Sequence, residues 1–212
     1  MSNKIKAVIF DLDGVLVEAK DWHFHALNKA LKIFGCDFSY EEHLLTYDGL
    51  PTKMKIKMLN EKTGFPLELG DTVSDLKQIY TQEYFSTRCF PDFSKDYLFR
   101  KLRDADILTA VASNSIRSTV DQAMISLDIE KYIEFSLSNE DVPRPKPSPD
   151  IYLKAINLLG VDATECLIVE DNINGITAAK ASGAHCLEVM EVEDVNHINV
   201  FNYIRAIEVQ NL

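Results

Sequence analysis

Acidic side chains follow two short apolar runs that have the composition of buried strands. Residues 5–10 end at Asp11 and Asp13, and residues 166–169 end at Glu170 and Asp171. Ligands of an open α/β sheet bind beyond the carboxyl ends of its strands, so we expect these acids to gather at one edge. Clustered carboxylates repel one another unless a cation is bound, and carboxylate oxygens are ligands that Mg²⁺ prefers. The sequence therefore predicts a Mg²⁺ site.

Two further segments supply groups that suit a phosphate. Ser113 and Asn114 follow a third apolar run, residues 107–112, and Lys146 lies in the proline-rich loop 143–147. A phosphate that bridges Mg²⁺, Lys146 and the hydroxyl group of Ser113 would have its charge met from several sides. A carboxylate in line with the phosphorus atom can act as a nucleophile, and a carboxyl group two residues later can protonate the leaving oxygen.

These segments together resemble the haloacid dehalogenase superfamily in all four of its ordered motifs. The first is Asp11-Leu12-Asp13-Gly14-Val15 and the second is Ser113-Asn114-Ser115. The third is Lys146-Pro147-Ser148-Pro149-Asp150, and the fourth is Val169-Glu170-Asp171, followed by a glycine- and alanine-rich helix. A lone Asp-x-Asp would be a weak signal, but four motifs in order across nearly the whole chain are highly specific.

The resemblance implies a role for each matching residue. Asp11 would form an aspartyl-phosphate, and Asp13 would act as general acid and base. The Mg²⁺ ligands would be Asp11, Asp13 through its backbone carbonyl, and Asp171, with Glu170 assisting. Ser113, Asn114 and Lys146 would hold the phosphoryl group. Dehalogenases of the superfamily need no metal and lack this acid/base pattern, so the expected reaction is Mg²⁺-dependent hydrolysis of a small phosphate ester.

Within the superfamily the chain looks most like the β-phosphoglucomutase-like branch, which includes many sugar-phosphate phosphatases. His23 resembles a histidine with which the mutase senses its sugar phosphate. Where the mutase pattern has an arginine after a glycine, this chain has Thr52 and Lys53, and lysine does not replace arginine in bidentate phosphate binding. Arg117 is a further candidate substrate contact. A phosphatase is therefore favoured over a mutase, and a receiver-like phosphoacceptor is a third alternative.

Apolar runs that alternate with helical patterns predict an α/β fold, a Rossmann-like three-layer core with a parallel sheet. Residues 17–88 instead have apolar side chains at helical spacing and predict an inserted cap of about four helices, leaving 1–16 and 89–212 as the core. Ser39 with Glu42 predicts a capping box. Ser148 is predicted to cap a helix that has Pro149 in its first position.

The net charge of −11 argues against partners that carry many phosphates, such as nucleic acids and anionic membranes. A stretch of four lysines (Lys53, Lys55, Lys57, Lys62) is predicted to be a solvated helix face. No segment has the composition of a leader or of a membrane span. We therefore expect a cytoplasmic protein, a monomer, whose partner is a small phosphate ester.

Overall fold

The structure, a computed structural model, describes residues 4–48 and 50–210, without the side chain of Gln210. The chain divides into two compact units. The first segment of one unit ends at Glu18, and this unit resumes at Phe90; we call it the core unit. The other unit is Ala19–Cys89, which we call the helical unit.

Strands and helices alternate in the core unit, whereas the described part of the helical unit contains helices. The chain begins with β1 (Ala7–Phe10) and continues in the helical unit with α1 (Lys20–Lys32), α2 (Tyr40–Glu42), a π-helical segment (His43–Tyr47), α3 (Thr52–Thr63) and α4 (Gly70–Arg88). The core unit resumes with α5 (Phe93–Asp104), β2 (Leu108–Ala112), α6 (Arg117–Leu127), β3 (Phe135–Leu137), α7 (Asp150–Leu159), β4 (Cys166–Glu170), α8 (Ile173–Ala181), β5 (His185–Glu188) and α9 (His197–Gln210).

The five strands form one parallel sheet in the order β3-β2-β1-β4-β5. The central strand β1 is buried along its whole length, as expected for a strand covered on both faces. Its last residue, Phe10, pairs with Val111 of β2 and with Val169 of β4. The predicted α/β fold with a parallel sheet is confirmed. The residues that follow β1, β2 and β4 therefore lie side by side at one edge of the sheet.

Helices cover the sheet and make its core. On one side, α7 and α8 pack through Tyr152, Ala155, Ala178 and Ala179 into a buried cluster that includes residues of β1, β2 and β4. The small alanine side chains let α8 lie close to the strands. The ring of Phe10 contacts that of Phe99 on α5, with centroids 5.0 Å apart. In the part of the chain that the structure describes, no helix combines the length and apolarity needed to cross a membrane.

The helical unit is built around α1 and α4 and has its own apolar core, which includes Leu27, Leu31, Ile56, Leu59 and Val73. Asn28 fixes the turn after α1, because its side-chain amide exchanges two hydrogen bonds with the backbone of Phe38, at 2.7 and 3.2 Å. The hydroxyl group of Ser39 accepts a hydrogen bond from the backbone N–H of Glu42, which is the first of the two bonds of the predicted capping box. The carboxylate of Glu42 pairs with Lys62 instead of closing the box at the backbone of Ser39.

Two local predictions are wrong. Ser148 does not cap α7, because its hydroxyl group donates to the carboxylate of Asp150 at 2.7 Å and makes no bond to a helix N–H. Lys55 is not part of a solvated face, since only 8% of its surface is exposed.

The buried imidazole of His43 generates a prediction about acid stability. His43 is 1% exposed, and its ring lies among aromatic rings, with centroids 5.3 Å from Phe24 and 6.1 Å from Phe38. Burial, followed by the nearby charge of Lys55, lowers the pKa of His43 to about 4, although the carboxylate of Asp48 acts in the opposite direction. The folded state therefore resists protonation that the unfolded chain accepts below pH 6.5.

We expect the stability supplied by neutral His43 to be complete above pH 6.5 and to be lost progressively as the pH falls towards 4. Between pH 8 and pH 5 the loss is about 2 kcal/mol. Urea unfolding, followed by the fluorescence of Trp22, which is the only tryptophan and lies in the same unit, measures this loss. In His43→Gln the same step in pH should cost about 2 kcal/mol less. Equal pH dependence in the two proteins would contradict the prediction.

Candidate active site

The ends of three neighbouring strands position the candidate site. Asp11 follows β1, Ser113 follows β2, and Glu170 is the last residue of β4. The backbone N–H of Asp11 donates to the carbonyl oxygen of Val169 at 3.0 Å, and that of Ser113 donates to Leu137 at 3.0 Å. The hydrogen-bonded ladder therefore extends one residue beyond β1 and β2, which fixes the backbone of both site residues.

Three carboxylates at this edge form a cluster that suits a metal ion. Asp11, Glu170 and Asp171 each have a carboxylate oxygen within 4.8 Å of the others. Burial, followed by the charge of Glu170, raises the pKa of Asp11 well above its usual value, and Lys146 offsets this only in part. A divalent cation would stabilise the ionised carboxylates, and a cluster of carboxylate oxygens matches the preference of Mg²⁺. The donor set therefore fits the metal that the sequence predicts.

Lys146 connects two of these carboxylates. Its Nζ donates to Asp11 Oδ1 and to Glu170 Oε1, both at 2.6 Å, and to the carbonyl oxygen of Ala112 at 2.9 Å. An ammonium group has three N–H donors, so each has an acceptor. Burial lowers the pKa of Lys146, but the charges of Asp11 and Glu170 outweigh this effect, and the pKa is raised. Lys146 is therefore a buried, charged ammonium.

Asn114 holds the loop that carries this lysine. The backbone N–H of Lys146 donates to Asn114 Oδ1 at 2.9 Å, and Asn114 Nδ2 donates to the carbonyl oxygen of Lys146 at 3.2 Å. Asn139 in turn donates to the backbone carbonyl of Asn114 at 2.8 Å. The structure therefore connects the side chain of Asn114 with the position of Lys146. Its predicted contact with the phosphoryl group stays a prediction.

The second acid of the first motif has a partner that the sequence analysis did not identify. Ser115 Oγ donates to Asp13 Oδ2 at 2.8 Å, which orients the carboxylate of Asp13. Ser113 is 1% exposed, and its hydroxyl group accepts a hydrogen bond from the backbone N–H of Ser115 at 3.0 Å. The end of β2 therefore contacts Asp13 through one serine and holds that serine with the other.

Arg117 makes several bonds within the core unit. Its guanidinium group donates to Asp121, to the side chain and backbone of Ser136, and to Asp141. Its backbone N–H donates to Glu140 at 2.6 Å. These bonds connect the start of α6 with β3 and the segment after it. A contact between Arg117 and a substrate stays a prediction.

The candidate substrate residues of the helical unit lie on two of its helices. His23 is in α1, and its Nδ1 lies 3.3 Å from the Nζ of Lys77. Thr52 is the first residue of α3, and the side chain of Lys53, which follows it, is 85% exposed. Gly49, the glycine of the compared pattern, lies outside the described residues. Substrate binding by these side chains stays a prediction.

Tyr152 is a further site residue that the sequence analysis missed. Its hydroxyl group donates to Glu170 Oε1 at 2.6 Å, and the centroid of its ring lies 4.6 Å from Lys146 Nζ. Burial, followed by the charge of Glu170, raises the pKa of Tyr152 well above its usual value, so the hydroxyl group keeps its proton and donates. The sequence signal was a tyrosine on the inward face of α7, six residues after Lys146.

Gly175 leaves the space that the carboxylate of Glu170 occupies. A Cβ atom at position 175 would lie 1.8 Å from Glu170 Oε1 and 2.0 Å from its Cδ. Gly175 is in α8 and faces Glu170, a residue that is 1% exposed. Glycine is required at position 175 because the carboxylate of Glu170 occupies the place where the Cβ atom of any other residue would lie.

We expect Gly175→Ala to displace the carboxylate of Glu170. Stability should fall by about 1–3 kcal/mol, as for other overpacked sites, and Mn²⁺, a paramagnetic substitute for Mg²⁺, should bind more weakly. Urea unfolding and electron paramagnetic resonance measure the two effects. Thr177→Ala, an exposed substitution in the same helix, is the control. Unchanged Mn²⁺ affinity in Gly175→Ala would show that the position of this carboxylate does not matter for the metal.

Comparisons with known proteins agree with this geometry. A sequence profile of the haloacid dehalogenase-like hydrolases matches residues 8–189. The chain is 27% identical over 184 residues to a phosphorylated carbohydrates phosphatase of Thermotoga maritima, with 84% of this chain and 82% of that protein covered. It is 26% identical over 216 residues to a bifunctional riboflavin kinase/FMN phosphatase of Arabidopsis thaliana, of which it spans only 55%.

Among solved structures, the β-phosphoglucomutase of Clostridium difficile superposes with a TM-score of 0.81. The two chains are 21% identical, and the match covers 97% of this chain and 98% of the other. This likeness shows a shared fold. The profile, which spans the residues of all four motifs, confirms the resemblance found in the sequence: the chain belongs to the haloacid dehalogenase-like hydrolases.

Proposed function

We propose that this protein is a Mg²⁺-dependent phosphatase that hydrolyses a small phosphorylated metabolite, with sugar phosphates as the favoured class, through an aspartyl-phosphate on Asp11. One observation carries the proposal. The carboxylate of Asp11 is held by Lys146 at 2.6 Å within a cluster of metal-binding oxygens, while Asp13, two residues later, is oriented by Ser115. The residues that we propose as nucleophile, acid/base and phosphate-binding cation are thus connected at one edge of the sheet.

In the first step, a carboxylate oxygen of Asp11 attacks the phosphorus atom of the ester. A bond from Asp11 to phosphorus forms, and the bond from phosphorus to the alcohol oxygen breaks. Asp13 protonates that oxygen as it leaves, so the alcohol departs neutral. The hydrogen bond from Ser115 keeps Asp13 in one orientation during this transfer. Lys146 contributes positive charge beside the nucleophile and the phosphoryl group.

In the second step, Asp13, which is now ionised, removes a proton from water. The water oxygen attacks the phosphorus atom of the aspartyl-phosphate, the bond to Asp11 breaks, and inorganic phosphate is released. Asp13 ends the cycle protonated, ready to act as an acid again. One residue thus serves as acid and as base, which requires that its carboxylate stay close to the phosphorus in both steps.

The carboxylates of Asp11 and Asp171 would hold Mg²⁺, together with the backbone carbonyl of Asp13, and Glu170 would assist. When bound, the ion supplies positive charge that neutralises the phosphoryl oxygens and favours the ionised form of Asp11. Asp11 needs this help, because burial and Glu170 raise its pKa. The Thermotoga maritima relative, named for phosphorylated carbohydrates, supports sugar phosphates as the substrate class.

We expect phosphate release to depend on Mg²⁺. EDTA should abolish release from a panel of sugar phosphates and other phosphorylated metabolites, and added Mg²⁺ should restore it. A coupled assay for conversion of β-glucose 1-phosphate to glucose 6-phosphate, run on the same samples, tests the mutase alternative. Isomerisation without net release of phosphate would replace the phosphatase by a mutase. Stable phosphorylation without turnover would favour the phosphoacceptor.

Replacing the nucleophile should stop the covalent route. We expect Asp11→Asn to lower kcat by about 10³-fold or more, because the amide oxygen is a poor nucleophile. Asp128→Asn is a matched control: Asp128 is exposed, and asparagine tolerates its left-handed backbone conformation, φ 54°. The control should keep full activity. Substantial turnover by Asp11→Asn, measured as phosphate release from the best substrate of the panel, would refute the assigned nucleophile.

A further inference from the structure

The hydroxyl group of Tyr152 is placed to control two charged groups of the site at once. Tyr152 is fully buried on α7, donates to Glu170 Oε1 at 2.6 Å, and has its ring 4.6 Å from the ammonium of Lys146. We infer that Tyr152 is a positioning residue: its hydroxyl group fixes the carboxylate of Glu170 so that metal binding and the Lys146–Asp11 contact are both maintained. The inference rests on the proposed metal-dependent function.

The hydrogen bonds of Glu170 show why one more donor matters. Its Oε2 accepts from the backbone N–H groups of Asp171 and Asn172, at 3.0 and 3.2 Å. Its Oε1 accepts from Lys146 and Tyr152, both at 2.6 Å. Each oxygen therefore has two donors, and the plane of the carboxylate is fixed from both ends. Without the tyrosine hydroxyl, Oε1 keeps only the lysine of these two donors.

That lysine is shared with the nucleophile. Nζ of Lys146 is 2.6 Å from Asp11 Oδ1 and 2.6 Å from Glu170 Oε1, so its position reflects a balance between two carboxylates. When the hydroxyl of Tyr152 is absent, Glu170 is satisfied on that side by Lys146 alone and draws the ammonium away from Asp11. The hydroxyl group of Tyr152 thus acts on Asp11 through Glu170 and Lys146.

The aromatic ring has a separate effect. A ring centroid 4.6 Å from an ammonium nitrogen is within the range of a favourable cation–π contact. The ring of Tyr152 belongs to the buried apolar cluster on this side of the sheet, and it covers the ammonium group with an apolar surface. Tyr152→Phe keeps this ring and its packing and removes only the hydroxyl group, so it isolates the hydrogen bond to Glu170.

The core unit offers a matched control. The hydroxyl group of Tyr132 donates to Asp96 Oδ1 at 2.7 Å, and this tyrosine is 9% exposed. Tyr132→Phe therefore removes a hydrogen bond of the same kind, from tyrosine to carboxylate, at a place outside the candidate site. If the hydroxyl group of Tyr152 had only a structural role, Tyr152→Phe and Tyr132→Phe would both differ from the parent protein only in stability.

The experiment compares the parent protein, Tyr152→Phe and Tyr132→Phe in three measurements. Electron paramagnetic resonance gives the Kd for Mn²⁺ without substrate, steady-state hydrolysis of p-nitrophenyl phosphate at saturating Mg²⁺ gives kcat and KM, and thermal unfolding gives Tm. For Tyr152→Phe we expect the Kd for Mn²⁺ to rise about 10- to 100-fold and kcat to fall by a similar factor. Tyr132→Phe should change both by less than twofold.

The outcomes separate this inference from the proposed function. A Kd and kcat of Tyr152→Phe within twofold of the parent, with parent turnover intact, overturn the role of Tyr152 and leave the phosphatase standing. If the parent binds Mn²⁺ and Tyr152→Phe binds it more weakly, but no ester of the panel is hydrolysed, the role of Tyr152 is supported and the phosphatase is rejected. A parent protein that binds no Mn²⁺ overturns both.

Discussion

The rest of the site depends on a buried ammonium group that is shared by two carboxylates. Lys146 lies between Asp11, which directly follows β1, and Glu170, the last residue of the adjacent strand β4. Buried ions are stable only when they are paired and hydrogen-bonded, so both carboxylates require the ammonium group and the ammonium group requires the carboxylates. This requirement explains why the backbone around them is so fully bonded: the sheet fixes the carboxylates, and Asn114 fixes the loop that carries the lysine.

Much of the site could be predicted because its information is local. Apolar runs predict buried strands, parallel topology brings their carboxyl ends together, and the acids that follow the runs are therefore neighbours. The position of Lys146 followed from its proline-rich loop and from the order of the motifs. These inferences need only the sequence within each segment and the rule that the carboxyl ends of parallel strands lie at one edge of the sheet. The structure adds the strand order, in which β1 lies between β2 and β4.

The remaining features depend on distances between segments that no local pattern contains. Ser115 and Asp13 are 102 positions apart, and Tyr152 reaches Glu170 from a different element. The capping prediction for Ser148 failed for the same reason on a small scale, because a nearby carboxylate competes with the helix N–H groups for its hydroxyl. The requirement for glycine at position 175 is of the same kind, because the carboxylate that fills the space belongs to Glu170 of another element.

Charge explains why the proposed metal would serve binding as well as chemistry. The chain carries a net charge of −11, and the charges of Glu170, Asp171 and Asp13 all raise the pKa of Asp11 beside the ammonium of Lys146. A phosphate ester approaching this edge without a cation meets repulsion, and burial together with the charge of Glu170 raises the pKa of Asp11, which disfavours the ionised carboxylate that attacks phosphorus. A divalent cation reverses both effects, since it attracts the phosphate and favours the ionised nucleophile. Substrate binding and activation of Asp11 are therefore coupled through the same ion.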